Sequence, residues 1–171
     1  MKKARAAVPL FAALLSSCTQ NLEERPSTES RDLTANTQQA DDRSSLPLIT
    51  TAPLYNLEML GDTANPFAQA NVRTSPSDPL KIAGWAVDAA ARDVASGVDI
   101  VIDESRFPAE YPSNRADVAK YFNVPAYGRC GFSLEIPAGQ LASGKHTLVV
   151  RIINRQRTGY YQGVPLTFYV R

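Results

Sequence analysis

The chain has 171 residues, with 18 Lys and Arg against 17 Asp and Glu, a formal charge of +1. That balance supplies no basic field of the kind that nucleic-acid binding draws on. With two cysteines and a single histidine, neither a disulfide-dense scaffold nor a multi-histidine or paired-cysteine zinc centre is available.

The amino terminus places Lys2, Lys3 and Arg5 ahead of an apolar run over residues 6–15, followed by Ser16, Ser17 and Cys18. The run is too short to cross a bilayer, which takes roughly 20 residues, and it reads as the apolar middle of a secretory signal. Leu15-Ser16-Ser17-Cys18 resembles the lipobox of bacterial lipoproteins. The resemblance implies a signal peptide over residues 1–17, cleavage before Cys18, and lipid on the Cys18 sulfur and the new amino terminus. An ordinary signal peptide cleaved nearby, with Cys18 a bystander, is the alternative. Two or three acyl chains hold durably, at about 0.8 kcal/mol per buried methylene. In the enterobacterial version of this family Asp after the Cys retains the protein in the inner membrane, so Thr19 implies the outer one. Loss of the signal removes three bases and leaves 15 against 17 acids, a net charge of about −2.

Residues 18–51 are expected to be a disordered tether. Apart from scattered Leu the stretch is polar, with Arg25, Arg31 and Arg43 facing Glu23, Glu24, Glu29, Asp32, Asp41 and Asp42. It offers too little apolar surface to offset the entropy of ordering. A coil of that length reaches on the order of 30 Å.

Residues 52–171 have the size of one domain and the pattern of β-structure. A weak strand is expected over residues 55–60 and a stronger one over 80–87. Val98, Ile100 and Ile102 alternate with Asp99, Val101 and Asp103. Phe132, Leu134 and Ile136 alternate with Ser133 and Glu135, and Leu148, Val150 and Ile152 oppose Arg151. The last segment sets Val164, Leu166, Phe168 and Val170 against Pro165, Thr167, Tyr169 and Arg171. Turn-forming Pro, Ser, Gly and Asp residues separate these runs. Residues 115–122 break the rule: Val118, Tyr121 and Phe122 fall at helical spacing, with Ser113 or Asn114 available as a cap. The expectation is a mainly β, immunoglobulin-like β-sandwich of six or seven strands with one short inserted helix. Trp85, the only tryptophan, is expected to fill space between the two sheets, and Gly84 to admit a close neighbour.

The residues Ile82-Ala-Gly-Trp-Ala-Val-Asp88, Val98 to Asp103, Arg115-Ala-Asp-Val-Ala119, Gly131-Phe-Ser133 and Gly144-Lys-His-Thr-Leu148 occur in an order that resembles bacterial immunoglobulin-like modules. Such modules carry a G-W-A-x-D strand and a G-x-H-x-L strand. The resemblance implies a spacer or recognition domain at a cell surface, with no family catalytic residues. Cys130 departs from it, since a small polar residue is usual before the Gly-Phe pair.

The residues able to do chemistry favour binding over turnover. His146 could act as a base, but at a strand start a ring bonded to a neighbouring loop is the better reading. Cys130 has no evident base or oxyanion donor and reads as a half-buried small residue, or as an exposed thiol joining two copies. Asp88, Asp93, Asp99, Asp103 and Glu104 are numerous enough to suggest calcium, yet lack its loop pattern, and strand-alternating carboxylates mostly face solvent. Arg151, Arg155, Arg157, Tyr160 and Tyr161 form the candidate partner surface, at or near the tip of the last long hairpin. The expected function is therefore a non-catalytic, lipid-anchored envelope protein, with no cofactor or metal, that serves in protein recognition or scaffolding at the cell surface or periplasm. The alternative is a carbohydrate-binding module for cell-wall or surface glycan.

Overall fold

The computed structural model describes Arg43 and residues 45–171. Cys18, the signal segment and most of the expected tether lie outside the described residues. Thirteen strands build two sheets: β1 (Leu48–Ile49), β2 (Leu54–Leu60), β3 (Thr63–Ala64), β4 (Val72–Thr74), β5 (Leu80–Asp88), β6 (Asp93–Val94), β7 (Gly97–Ile102), β8 (Ser105–Pro108), β9 (Glu110–Ser113), β10 (Gly131–Ile136), β11 (Gly144–Ile153), β12 (Tyr160–Gln162) and β13 (Leu166–Val170). Six of them run five residues or more; the remainder are too short for alternation to reveal them in a sequence. Among the described residues one α-helix, α1 (Ala116–Phe122), lies between β9 and β10.

The six-stranded sheet runs β3-β2-β5-β10-β9, with β6 on the end of β5. In the seven-stranded sheet β11 is central. It pairs on one side with β7, which carries β8, and on the other first with β13 and then with β12. Strands β4 and β1 add in parallel outside β13 and β12. With β2, β5, β10 and β9 in one layer and β7, β11 and β13 in the other, the strand order is that of an immunoglobulin-type sandwich.

The expected alternation produces the core. Val98, Ile100 and Ile102 of β7, Leu148, Val150 and Ile152 of β11, and Phe168 of β13 face Leu57, Ile82, Phe132 and Ile136 across the sandwich. Each large side chain buried this way contributes about 1.5–3 kcal/mol.

Several expectations need correction. The domain's first strand, β1, lies upstream of the expected start at residue 52. Trp85 does not sit between the sheets: in β5 the inward positions go to Leu80, Ile82, Gly84 and Ala86, and Trp85 takes the outer face under α1. There it joins a second cluster with Val87, Val118, Tyr127, Phe122 and Cys130, so the molecule gains a third layer. Space for Trp85 is not needed inside, because the ring of Phe132 covers Gly84, whose other neighbour is the Asn56 backbone oxygen. Neither Ser113 nor Asn114 caps α1; Arg115 occupies that position without a side-chain cap bond. At the other end Asn123 adopts a left-handed conformation and its N–H serves the Ala119 and Lys120 carbonyls, as helix stops commonly require.

Candidate functional site

The outer face of the six-stranded sheet carries a groove of about 520 Å³ where α1 overhangs β2 and β5. Alternation places Lys81, Ala83 and Trp85 of β5 on this face. Helix α1 contributes Tyr121 and Phe122, and β2 contributes Glu58. Phe122 meets Trp85 edge-on at 5.5 Å and Tyr121 at 4.9 Å. Tyr121 is 83 % exposed, the most open large hydrophobic side chain among the described residues.

One guanidinium organises the polar side of this groove. Arg115 donates from both terminal nitrogens to the two carboxylate oxygens of Glu58, at 2.7 and 2.9 Å. It also donates to both oxygens of Asp117, at 2.9 and 2.7 Å. The Arg115 bonds hold the Asp117 carboxyl down at a pKa of about 2, and the Arg115 guanidinium is held well above its ordinary value by the same contacts. Two carboxylates thus share one cation, beside the exposed ring of Tyr121 and the half-buried rings of Trp85 and Phe122. A second depression of about 490 Å³ follows on the same face, edged by Lys81, Glu110 and Glu135.

The five residues of the expected hairpin surface do not share one face. Tyr160 and Tyr161 are neighbours in β12, so they point to opposite sides. Tyr161 turns inward, 6 % exposed, and donates to Asp88 Oδ1 at 3.0 Å. Burial, then Asp88, raises its phenol to about 12. Tyr160 turns outward beneath the Arg151 guanidinium, 3.7 Å from the ring centre. Arg155 pairs with Asp93 at 3.1 Å, and Arg157 donates to Ser96 Oγ at 2.7 Å. Only Arg151 and Tyr160 form a stacked outer pair, while Arg155 and Arg157 are exposed in the turn.

Two carboxylates expected to face solvent are instead buried. Asp88 accepts from the Ala91 and Arg155 backbone N–H groups as well as Tyr161, tying the end of β5 to the last hairpin. Asp99 is fully buried and receives the Arg43 guanidinium at 2.9 Å. His146 bonds Asp103 Oδ2 through Nδ1 and the Ala142 carbonyl through Nε2, both at 2.8 Å. Burial lowers its pKa, but these two bonds outweigh that and the net shift is upward. Cys130 is completely buried rather than an exposed cross-linking thiol, and burial pushes it up to about 11. No group of three or more His, Cys, Asp or Glu positioned to hold a metal occurs among the described residues, and none of their helices is long and apolar enough to cross a membrane.

The groove escaped the sequence reading because its parts lie far apart in the chain. Val118, Tyr121 and Phe122 fall at the spacing of one helical face, yet only Val118 and Phe122 pack into the cluster beneath the helix, and Tyr121 stays open at the rim. No protein-family model matches the chain, and no curated protein matches it.

Proposed function

We propose that this chain is a non-catalytic envelope lipoprotein, anchored through lipid on Cys18, whose immunoglobulin-like domain serves in protein recognition. Thr19 directs it to the outer membrane. Its address rests on the lipobox resemblance and the preceding signal pattern. The recognition role rests on one observation, the open groove of Trp85, Tyr121 and Phe122 beside the Glu58–Arg115–Asp117 network. Rigid aromatic side chains next to fixed charged groups are the ingredients of a binding hot spot. Arg43, where the described chain begins, seats against Gly97 and Asp99 on the seven-stranded sheet. A partner in the groove would therefore not compete with the seat of Arg43. The single histidine and Cys130 are committed to structural contacts, which favours recognition over turnover.

The test of the anchor is intact mass of the membrane fraction from cells producing wild type and Cys18→Ser. A lipid-sized increment on Cys18, with release of the variant to the soluble fraction, is expected. A soluble wild type without the increment would overturn the anchored reading.

The exposed ring of Tyr121, in a groove that two carboxylates also line, favours a second reading, a carbohydrate-binding module. Its site would be this groove rather than the Tyr160–Tyr161 pair, whose second ring is buried.

A further inference from the structure

We infer that the groove between α1 and the six-stranded sheet is a receptor for a cationic side chain, the ammonium of Lys or the guanidinium of Arg, presented by the protein partner. This deepens the recognition reading and rests on it. Three observations lead to a cation. The charged lining is two carboxylates against one guanidinium, so it keeps an excess negative charge. Arg115 spends four of its five N–H donors on Glu58 and Asp117, which leaves little donor capacity for an anionic ligand. Both carboxylates remain accessible, with side chains 37 % and 66 % exposed, so each retains acceptor capacity toward solvent.

The aromatic side fits the same ligand. Tyr121 meets Phe122 at an interplanar angle of 82°, and Phe122 meets Trp85 at 68°. Perpendicular contacts of this kind leave ring faces uncovered that stacking would hide. A cation held over such a face while touching a carboxylate gains from both the ring quadrupole and the charge. The protein already makes this contact internally, with Arg151 over Tyr160 at 3.7 Å. The neighbouring depression carries the same sign of excess, Glu110 and Glu135 against Lys81, which suits a partner segment with more than one basic residue. A neutral sugar would use the rings and the hydroxyl acceptors but leave the excess charge unanswered.

Trp85 is the only tryptophan of the chain and lines the groove, so intrinsic fluorescence reports on occupancy. The experiment titrates the full chain, in neutral detergent, with a capped heptapeptide alternating Gly and Lys. The same peptide with every Lys acetylated and a neutral chitin hexasaccharide run in parallel. A saturable Trp85 change with the Lys peptide alone is expected, weakening as ionic strength rises. Tyr121→Ala should bind about fivefold more weakly, in line with loss of one ring contact, while Tyr121→Phe should retain binding. Glu58→Gln should weaken it as well. Because Tyr121 is so exposed, its variants leave the fold unchanged, which circular dichroism checks. Equal responses to the Lys and acetyl-Lys peptides, a response only to the hexasaccharide, or no response to any probe would each overturn the cation receptor. A hexasaccharide response would keep a recognition role and move it to glycan. The Cys18 mass measurement stands apart from all three outcomes, so failure of the anchor is distinguishable from failure of the groove.

Discussion

Arg43 and Asp99 meet at 2.9 Å across 56 positions of chain, and the acid in that pair is fully buried. Asp99 faces outward from β7, and the Arg43 guanidinium lies over it against Gly97, while Arg151 of the adjacent strand bonds the Arg43 carbonyl at 3.3 Å. Arg43 thereby covers the outer face of β7 at Asp99. Arg43→Ala would leave a buried charge without its partner, at a cost of about 3 kcal/mol. Chemical denaturation measures it. The double variant Arg43→Ala with Asp99→Asn should recover part of the loss, since it also removes the orphaned charge.

Asp88 provides a second test of buried polar architecture. Tyr161→Phe removes one of its three bonds and should destabilise by about 1–2 kcal/mol. Asp88→Ala strands the Ala91 and Arg155 N–H groups and the Tyr161 hydroxyl together, for about 3 kcal/mol or more. Thermal melts of the two variants should rank in that order; equal losses would contradict the shared-acceptor picture.

Gly84→Ala would place a methyl group against the Asn56 backbone oxygen and the Phe132 ring. Neither can move freely in a paired sheet, so the expected cost is about 3 kcal/mol, at the upper end for overpacking. A variant that melts with wild type would show that β2 and β5 are not held at this separation.

The strands were legible because each long one buries alternate residues, and β7, β10 and β11 appear where alternation places them, while β13 starts at Leu166 and leaves the expected inward residue Val164 exposed. Alternation gives two faces without saying which is inside. Size suggested Trp85 for the interior, yet the inward positions beside it are Gly84 and Ala86, and Phe132 from the opposing strand supplies the volume. The buried acids were illegible for a related reason: a carboxylate at an alternating outer position reads as solvated until a distant group, such as Arg43 on Asp99, covers it. The groove depends on β2, β5 and α1 meeting in space, and no local pattern announces that Glu58 and Arg115, 57 positions apart, share two bonds.

His146 and Asp103 make stability depend on pH. The His146 pKa is raised from its ordinary 6.5, so its contribution is present below that value and is lost as pH rises through the folded pKa. Asp103 is lowered from 3.8, first by the Thr147 N–H and then by His146. Its contribution is present above that value and is lost as pH falls through the folded pKa. The stability difference between wild type and His146→Gln should therefore be largest between about pH 4 and pH 6.5 and shrink toward alkaline pH. A difference that grows with alkalinity would reverse the assignment.

Cys130 offers a kinetic check on the roof formed by α1. Buried, with its thiol raised to about 11, it should resist alkylation at mildly alkaline pH in the native protein and react once denaturant opens the helix–sheet cluster. Peptide mass mapping follows the site. Rapid native labelling would mean that the roof opens readily.

The proposed recognition surface is the groove rather than the opposite sheet. The most direct measurement is site-specific photocross-linking in living cells, with a benzophenone amino acid replacing either Tyr121 or Thr167, which is exposed on the outer face of β13. A discrete covalent adduct is expected from position 121, lost when Glu58→Gln is added, and none from position 167. Adducts from position 167 alone, or from neither position, would contradict it.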